Sequence, residues 1–155
     1  MRLVFLVLHV LGAVVALGFS LSYGVWTTRG EAAGPAERAF ALRTVSWIDR
    51  RLTTPAYMLQ AVTGLVLVSI TGWARLKESW LAISVGLYVL LTVIAITTYA
   101  PAHRRQREMA ELIAAGEPVE AGYQEAADRA RRMGLVVIAL TVTIVVLMVW
   151  KPSFW

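Results

Sequence analysis

The sequence predicts an all-α membrane protein: a four-transmembrane-helix bundle with short amphipathic cytoplasmic helices. Three observations carry this reading. First, the composition is 58% hydrophobic and only 16% charged, whereas soluble domains are about 25% charged. Second, the apolar residues are blocked into four stretches free of Asp, Glu, Lys and Arg: 3–28, 52–74, 79–102 and 133–150. Third, the tryptophans avoid the centres of these stretches. Trp26, Trp73, Trp80 and Trp150 sit near their ends, and Trp47 and Trp155 lie in flanking segments. An apolar ring with one N–H favours the headgroup boundary.

Crossing the ~30 Å hydrocarbon core takes roughly 20 apolar residues. The first three stretches satisfy this, and the shorter fourth gains an amphipathic lead-in from Ala126 to Ala130. Strands are excluded, because spanning strands need a closed barrel of many more segments. The first stretch follows Arg2 as a signal peptide would, but it outruns the usual 7–15-residue signal core, so a retained span is expected. The chain of 155 residues is then a single transmembrane domain.

Between spans one and two, residues 35–51 read as an amphipathic helix with Phe40, Val45, Trp47 and Ile48 among arginines. This helix is expected to lie on the membrane surface. Pro101 is placed to begin a second such helix, running past Met109 and Leu112 until Gly116 and Pro118 end it. Gly122 precedes a charged helical stretch that runs into span four.

Loop charge sets the expected orientation. Arg29, Arg38, Arg43, Arg50 and Arg51 lie in the first loop; Arg104, Arg105, Arg107, Arg129, Arg131 and Arg132 lie in the third. The opposite face has only Arg2, Arg75, Lys77 and Lys151. The positive-inside rule places loops one and three in the cytoplasm and both termini outside. A net charge of +5 and a pI near 10.1 therefore point to anionic lipid rather than nucleic acid. The chain has no cysteine, which excludes disulfides, thiolate metal sites and thiol catalysis.

Helices packing in lipid use small residues and occasional polar contacts. At 3.6 residues per turn, His9, Gly12, Ala13, Ala16, Ser20 and Tyr23 share a face of span one that should point inward. Gln60, Thr63, Gly64 and Thr71 mark span two; Ser84, Tyr88, Thr92, Ala95 and Tyr99 mark span three; Gly134, Thr141 and Met148 mark span four. No span holds a carboxylate, lysine or arginine, which argues against proton-coupled transport or an ion channel.

His9 is the sharpest intramembrane feature. It either hydrogen-bonds across the bundle or serves as the axial ligand of haem b. His103 lies near the other end of its span, roughly 25 Å away at 1.5 Å per residue, so one haem cannot take both within a protomer. Met148 and Lys77 lie nearer the depth of His9 and are the candidate second ligands. A five-coordinate haem, or one shared across a dimer interface, is the alternative. His103 itself, followed by Arg104 and Arg105, reads as interfacial. The sequence carries no zinc, phosphate-loop, dinucleotide or hydrolase motif, and no catalytic residue is assigned.

Three segments, in order, carry a resemblance. They are Leu8-His9-Val10-Leu11-Gly12-Ala13; Asp49-Arg50-Arg51-Leu52-Thr53-Thr54-Pro55 followed by Gly64 and Gly72-Trp73; and Met148-Val149-Trp150-Lys151-Pro152. The chain resembles the bacterial integral-membrane family of domain of unknown function 2269 along nearly its whole length. More distantly it is similar to HemJ-type protoporphyrinogen oxidases and CopD-like copper-resistance membrane proteins, at His9, Pro55, Gly72, Trp73, Lys77, Lys151 and Pro152. The HemJ resemblance implies b-type haem and porphyrinogen oxidation. Span three departs from it, with Tyr88-Val89-Leu90 where a further histidine is expected. Copper transport by the CopD resemblance would draw on five methionines that do not cluster.

The primary expectation is a non-enzymatic accessory or structural subunit of a membrane assembly, redox assemblies included. Its partners would be the lipid bilayer and either further copies of itself or other membrane subunits. The alternative is a b-type haem protein of electron transfer or porphyrinogen oxidation.

Overall fold

The computed structural model describes residues 1–154; Trp155, assigned above to a flanking segment, lies outside the described residues. Six α-helices follow in order: α1 (Arg2–Ala33), α2 (Pro35–Ile48), α3 (Thr54–Thr71), α4 (Ser79–Ile94), α5 (Ala100–Ala114) and α6 (Glu120–Trp150). They make four rods long and apolar enough to cross a membrane: Arg2–Ala33, Pro35–Thr71, Ser79–Ala114 and Glu120–Trp150. No strand occurs among the described residues.

Glycines and prolines set the corners. Gly34 at φ 136° turns the chain between α1 and α2, and Pro35 opens α2. Gly72 at φ 103° ends α3 ahead of a single 3₁₀ turn, Trp73–Lys77. Gly116 at φ 93° breaks the chain after α5. Lys151 closes α6 in the left-handed conformation, and Pro152 cannot continue it.

The amphipathic segments are not separate helices, contrary to the sequence reading. α2 runs into α3 through a π-helical turn, Asp49–Thr53, and α4 into α5 through another, Ala95–Tyr99. Both turns precede a proline by the same offset. The residue before each proline closes a wide bond five residues back: Thr54 N–H to Asp49 O, and Ala100 N–H to Ala95 O. Proline's ring normally clashes with the carbonyl four residues earlier, and the wider turn makes room for it. Pro55 and Pro101 are thus accommodated within rods of 37 and 36 residues. At 1.5 Å per residue these rods are about 55 Å long, well beyond the ~30 Å hydrocarbon core. Their charged ends therefore extend past it.

Rod α1 packs along α3, and α4 along α6. The two pairs join through α1 and α6 and, at the charged end, through α2 and α5. There Ala39, Leu42, Ala110 and Tyr123 form a buried cluster, flanked by Met109, Ile113 and Ala127. In α2, Val45 is fully buried, whereas Phe40 and Trp47 are about 60% exposed (60% and 59%). The inner face of α1 is Gly12, Ala16, Ser20, Tyr23 and Gly30.

Candidate functional site

Two places in this bundle gather polar side chains among apolar ones. The first is the seam where α1 meets α3. A Cβ on Gly12 would lie 2.8 Å from Gln60 Nε2, and one on Gly64 3.3 Å from His9 Cε1. Glycine at both positions lets the helices close on His9. Nδ1 of His9 meets Thr63 Oγ1 at 2.8 Å. That hydroxyl also lies 2.6 Å from Leu59 O, an acceptor that takes its proton. Thr63 must then accept from His9, which puts the imidazole proton on Nδ1 and leaves a lone pair on Nε2. Gln60 Nε2 donates to the backbone carbonyl of His9.

The other two residues singled out for a cofactor stand elsewhere. Met148 is half-buried on α6. Lys77 ends the 3₁₀ turn and lines a small cleft with Trp80, Lys151 and Ser153. In that cleft Lys151 Nζ sits 5.6 Å from the Trp80 ring centroid. Ser79 Oγ donates to Pro152 O at 3.1 Å and accepts from Phe154 N–H at 2.9 Å. Arg75 beside Glu78 holds the Glu78 carboxyl below the usual carboxylate range. His9, Lys77 and Met148 thus occupy α1, the α3–α4 turn and α6, and no group of three or more His, Asp or Glu side chains suited to a metal occurs among the described residues.

The second place is a cavity of about 1260 Å³ between the two helix pairs. Tyr23 and Thr53 join across it at 2.6 Å, and Tyr23 donates to Asp49 at 3.4 Å. Tyr57 bridges to Thr141 at 3.1 Å, and Tyr88 donates to the Tyr57 carbonyl at 2.6 Å. These bonds hold the Pro35–Thr71 rod to α1, α6 and α4. Beyond Tyr99, His103 continues the wall, its ring 5.9 Å from that of Tyr99 and tilted 33° to it. Gly134 lets α6 approach, since a Cβ there would lie 3.3 Å from Tyr99 Cε2.

At the charged end, Tyr123 is buried in the cluster described above. It donates to Glu31 at 2.7 Å, accepts from Gln106 at 3.4 Å and carries the Arg38 guanidinium 4.5 Å from its ring centroid. Arg38 pairs with Glu120 at 3.0 Å. This group ties α1, α2, α5 and α6 together and is structural.

His103 is the residue that reading by spans passes over. Its signal was present: the face Tyr88, Thr92, Ala95, Tyr99 continues at helical spacing to His103. Treating Pro101 as a helix start cut that face one turn short.

Four apolar rods with charged ends define an integral membrane protein of the four-helix class. The family model for predicted integral membrane proteins of the DUF2269 kind matches residues 3–152, and the chain belongs to that family. Neither curated proteins nor solved structures give a match.

Proposed function

We propose that this chain is a non-enzymatic accessory or structural subunit of a membrane assembly, built from further copies of itself or from other membrane subunits. The observation that carries this is glycine placed where the chain itself makes no use of it. Gly18 on α1 and Gly86 on α4 are exposed, with nothing within 4 Å of an added Cβ. Glycine inside a helix costs about 1 kcal/mol relative to alanine, and small residues are enriched where transmembrane helices meet. Ala82, one turn before Gly86, extends a small-residue strip on α4. The arginine asymmetry supports a bacterial cytoplasmic membrane location with the charged end in the cytoplasm and both termini outside.

Mild-detergent extraction tests the proposal. The wild type should migrate as an oligomer or with companion chains, and Gly86→Leu should release it while leaving its helix content intact. A strictly monomeric wild type with no companion would overturn the reading. Because the chain has no cysteine, a single Glu117→Cys or Ser153→Cys variant reports sidedness: an impermeant maleimide added to intact cells should label only the second.

One observation favours the second reading, a b-type haem protein. The Nδ1–H···Thr63 bond leaves the Nε2 lone pair of His9 available to a metal, as outer partners do for ligating histidines. However, the large cavity is not lined by His9, Lys77 or Met148. A haem on His9 in this reading belongs between chains rather than inside one. Visible spectra after haem-replete expression decide it: full haem content in His9→Ala, or no Soret band in the wild type, ends the reading.

A further inference from the structure

The Pro35–Thr71 rod carries a lane of exposed side chains about one turn apart: Arg43, Trp47, Arg51, Pro55, Met58 and Val62. From Arg43 to Pro55 the spacing is three four-residue steps in succession. On a helix of 3.6 residues per turn these would drift about 120° around the axis. The π-helical turn Asp49–Thr53 lies within that stretch and takes up the extra residue, which keeps Arg51 and Pro55 in line with Trp47 on the exposed side. The turn that admits Pro55 thus joins a basic, aromatic segment to an apolar one on a single outward face.

Depth and charge give this face its chemistry. With the rod along the membrane normal, about 20 residues counted from Gly72, where α3 ends, cover the ~30 Å hydrocarbon core and reach Leu52. Arg51 then stands at the edge of the core. Trp47 lies about 6 Å beyond it, in the headgroup layer that an indole favours. Arg43 is one turn further out, and its long side chain can reach back to that layer. No carboxylate stands on the lane. From Arg38 to Lys77 the only acidic residue is Asp49, and its oxygens accept from Tyr23 and Thr54. Arg43 and Arg51 take no part in the ion pairs among the described residues, whereas Arg38, Arg104 and Arg107 pair with Glu120, Glu108 and Glu111.

We propose that this lane seats one anionic phospholipid of the leaflet at the charged end. Its phosphodiester lies between Arg43 and Arg51 at the level of Trp47, and an acyl chain runs along Pro55, Met58 and Val62. The forked donors of arginine suit phosphate oxygens. Two arginines without a counter-charge favour an anionic head over a zwitterionic one, which brings its own cation. General attraction of basic loops to an anionic surface is shared by every arginine at this end; the lane alone lines up such cations with an exposed apolar track for the chain. Gly18 and Gly86, which support assembly, lie on other helices, so the two readings are tested apart.

The test uses the full chain in phosphatidylcholine nanodiscs carrying graded amounts of phosphatidylglycerol with the same acyl chains. Native mass spectrometry counts the lipid that stays bound when the disc is stripped away. One phosphatidylglycerol per chain should remain, held about tenfold more tightly than phosphatidylcholine. Arg43→Gln and Arg51→Gln should each weaken it about fivefold, and Arg51→Lys, which keeps the charge without the fork, should weaken it less. Arg105→Gln makes the same change of charge at an exposed position on α5 and should leave binding unchanged. Glycerophosphoglycerol, the same head without chains, should not compete. The lipid comparison and the competition need no variant, so they carry the test if a substituted chain does not fold. The proposal fails if phosphatidylcholine is held as tightly, if neither Arg43→Gln nor Arg51→Gln weakens binding, if Arg105→Gln weakens it as much as they do, or if the chainless head competes.

Discussion

The seam around His9 and the cavity around His103 place a polar ring inside an apolar bundle in opposite ways. At the seam, Gly12 and Gly64 draw the helices together, and Thr63 and Gln60 engage the histidine's ring and its carbonyl. At the cavity, the helix pairs stand apart, Tyr23 pairs with Thr53 and Tyr57 with Thr141, and His103 Nε2 is buried without a partner. Depth in the membrane therefore does not decide which histidine nitrogen finds a hydrogen-bond partner. The spacing of the helices and the supply of partners decide it.

The contrast breaks most visibly at the seam. Gly64→Leu drives a branched side chain into the imidazole, where even a Cβ would stand 3.3 Å from Cε1. Overpacking of this kind costs about 1–3 kcal/mol, read as a lower unfolding midpoint in micelles. An unchanged midpoint would show that α1 and α3 do not close on His9. A smaller loss is expected from Thr63→Val, which keeps the shape and removes the hydroxyl. Hydrogen bonds between transmembrane helices average about 0.6 kcal/mol, so a loss of about 0.5–1.5 kcal/mol is the expected outcome. A cycle with His9→Ala checks it, because the effect should vanish once the imidazole is gone.

The seam was legible in the sequence, and the cavity was largely not. His9, Gly12, Thr63 and Gly64 each stood out as small or polar residues within apolar runs, and helical spacing alone turned them inward. Which of them meet required the register of α1 against α3, and no local pattern encodes that. At the other end, prolines misled. Pro101 read as a helix start, and residues 35–51 read as a short helix lying on the membrane surface ahead of span two. The π-helical turns that absorb both prolines depend on hydrogen bonds five residues back, which composition does not reveal. With the rods taken as broken, His103 fell outside the span and its continuity with Tyr99 was lost. Two parts of the family pattern, Gly72-Trp73 and Lys151-Pro152, sit at helix ends and fix the turns there.

The smallest expected effect sharpens the comparison most. At neutral pH, His103→Phe removes a polar atom that has no partner and keeps an aromatic ring of similar size. The change should be neutral or stabilising by up to about 1 kcal/mol, whereas a comparable change at the satisfied His9 should destabilise.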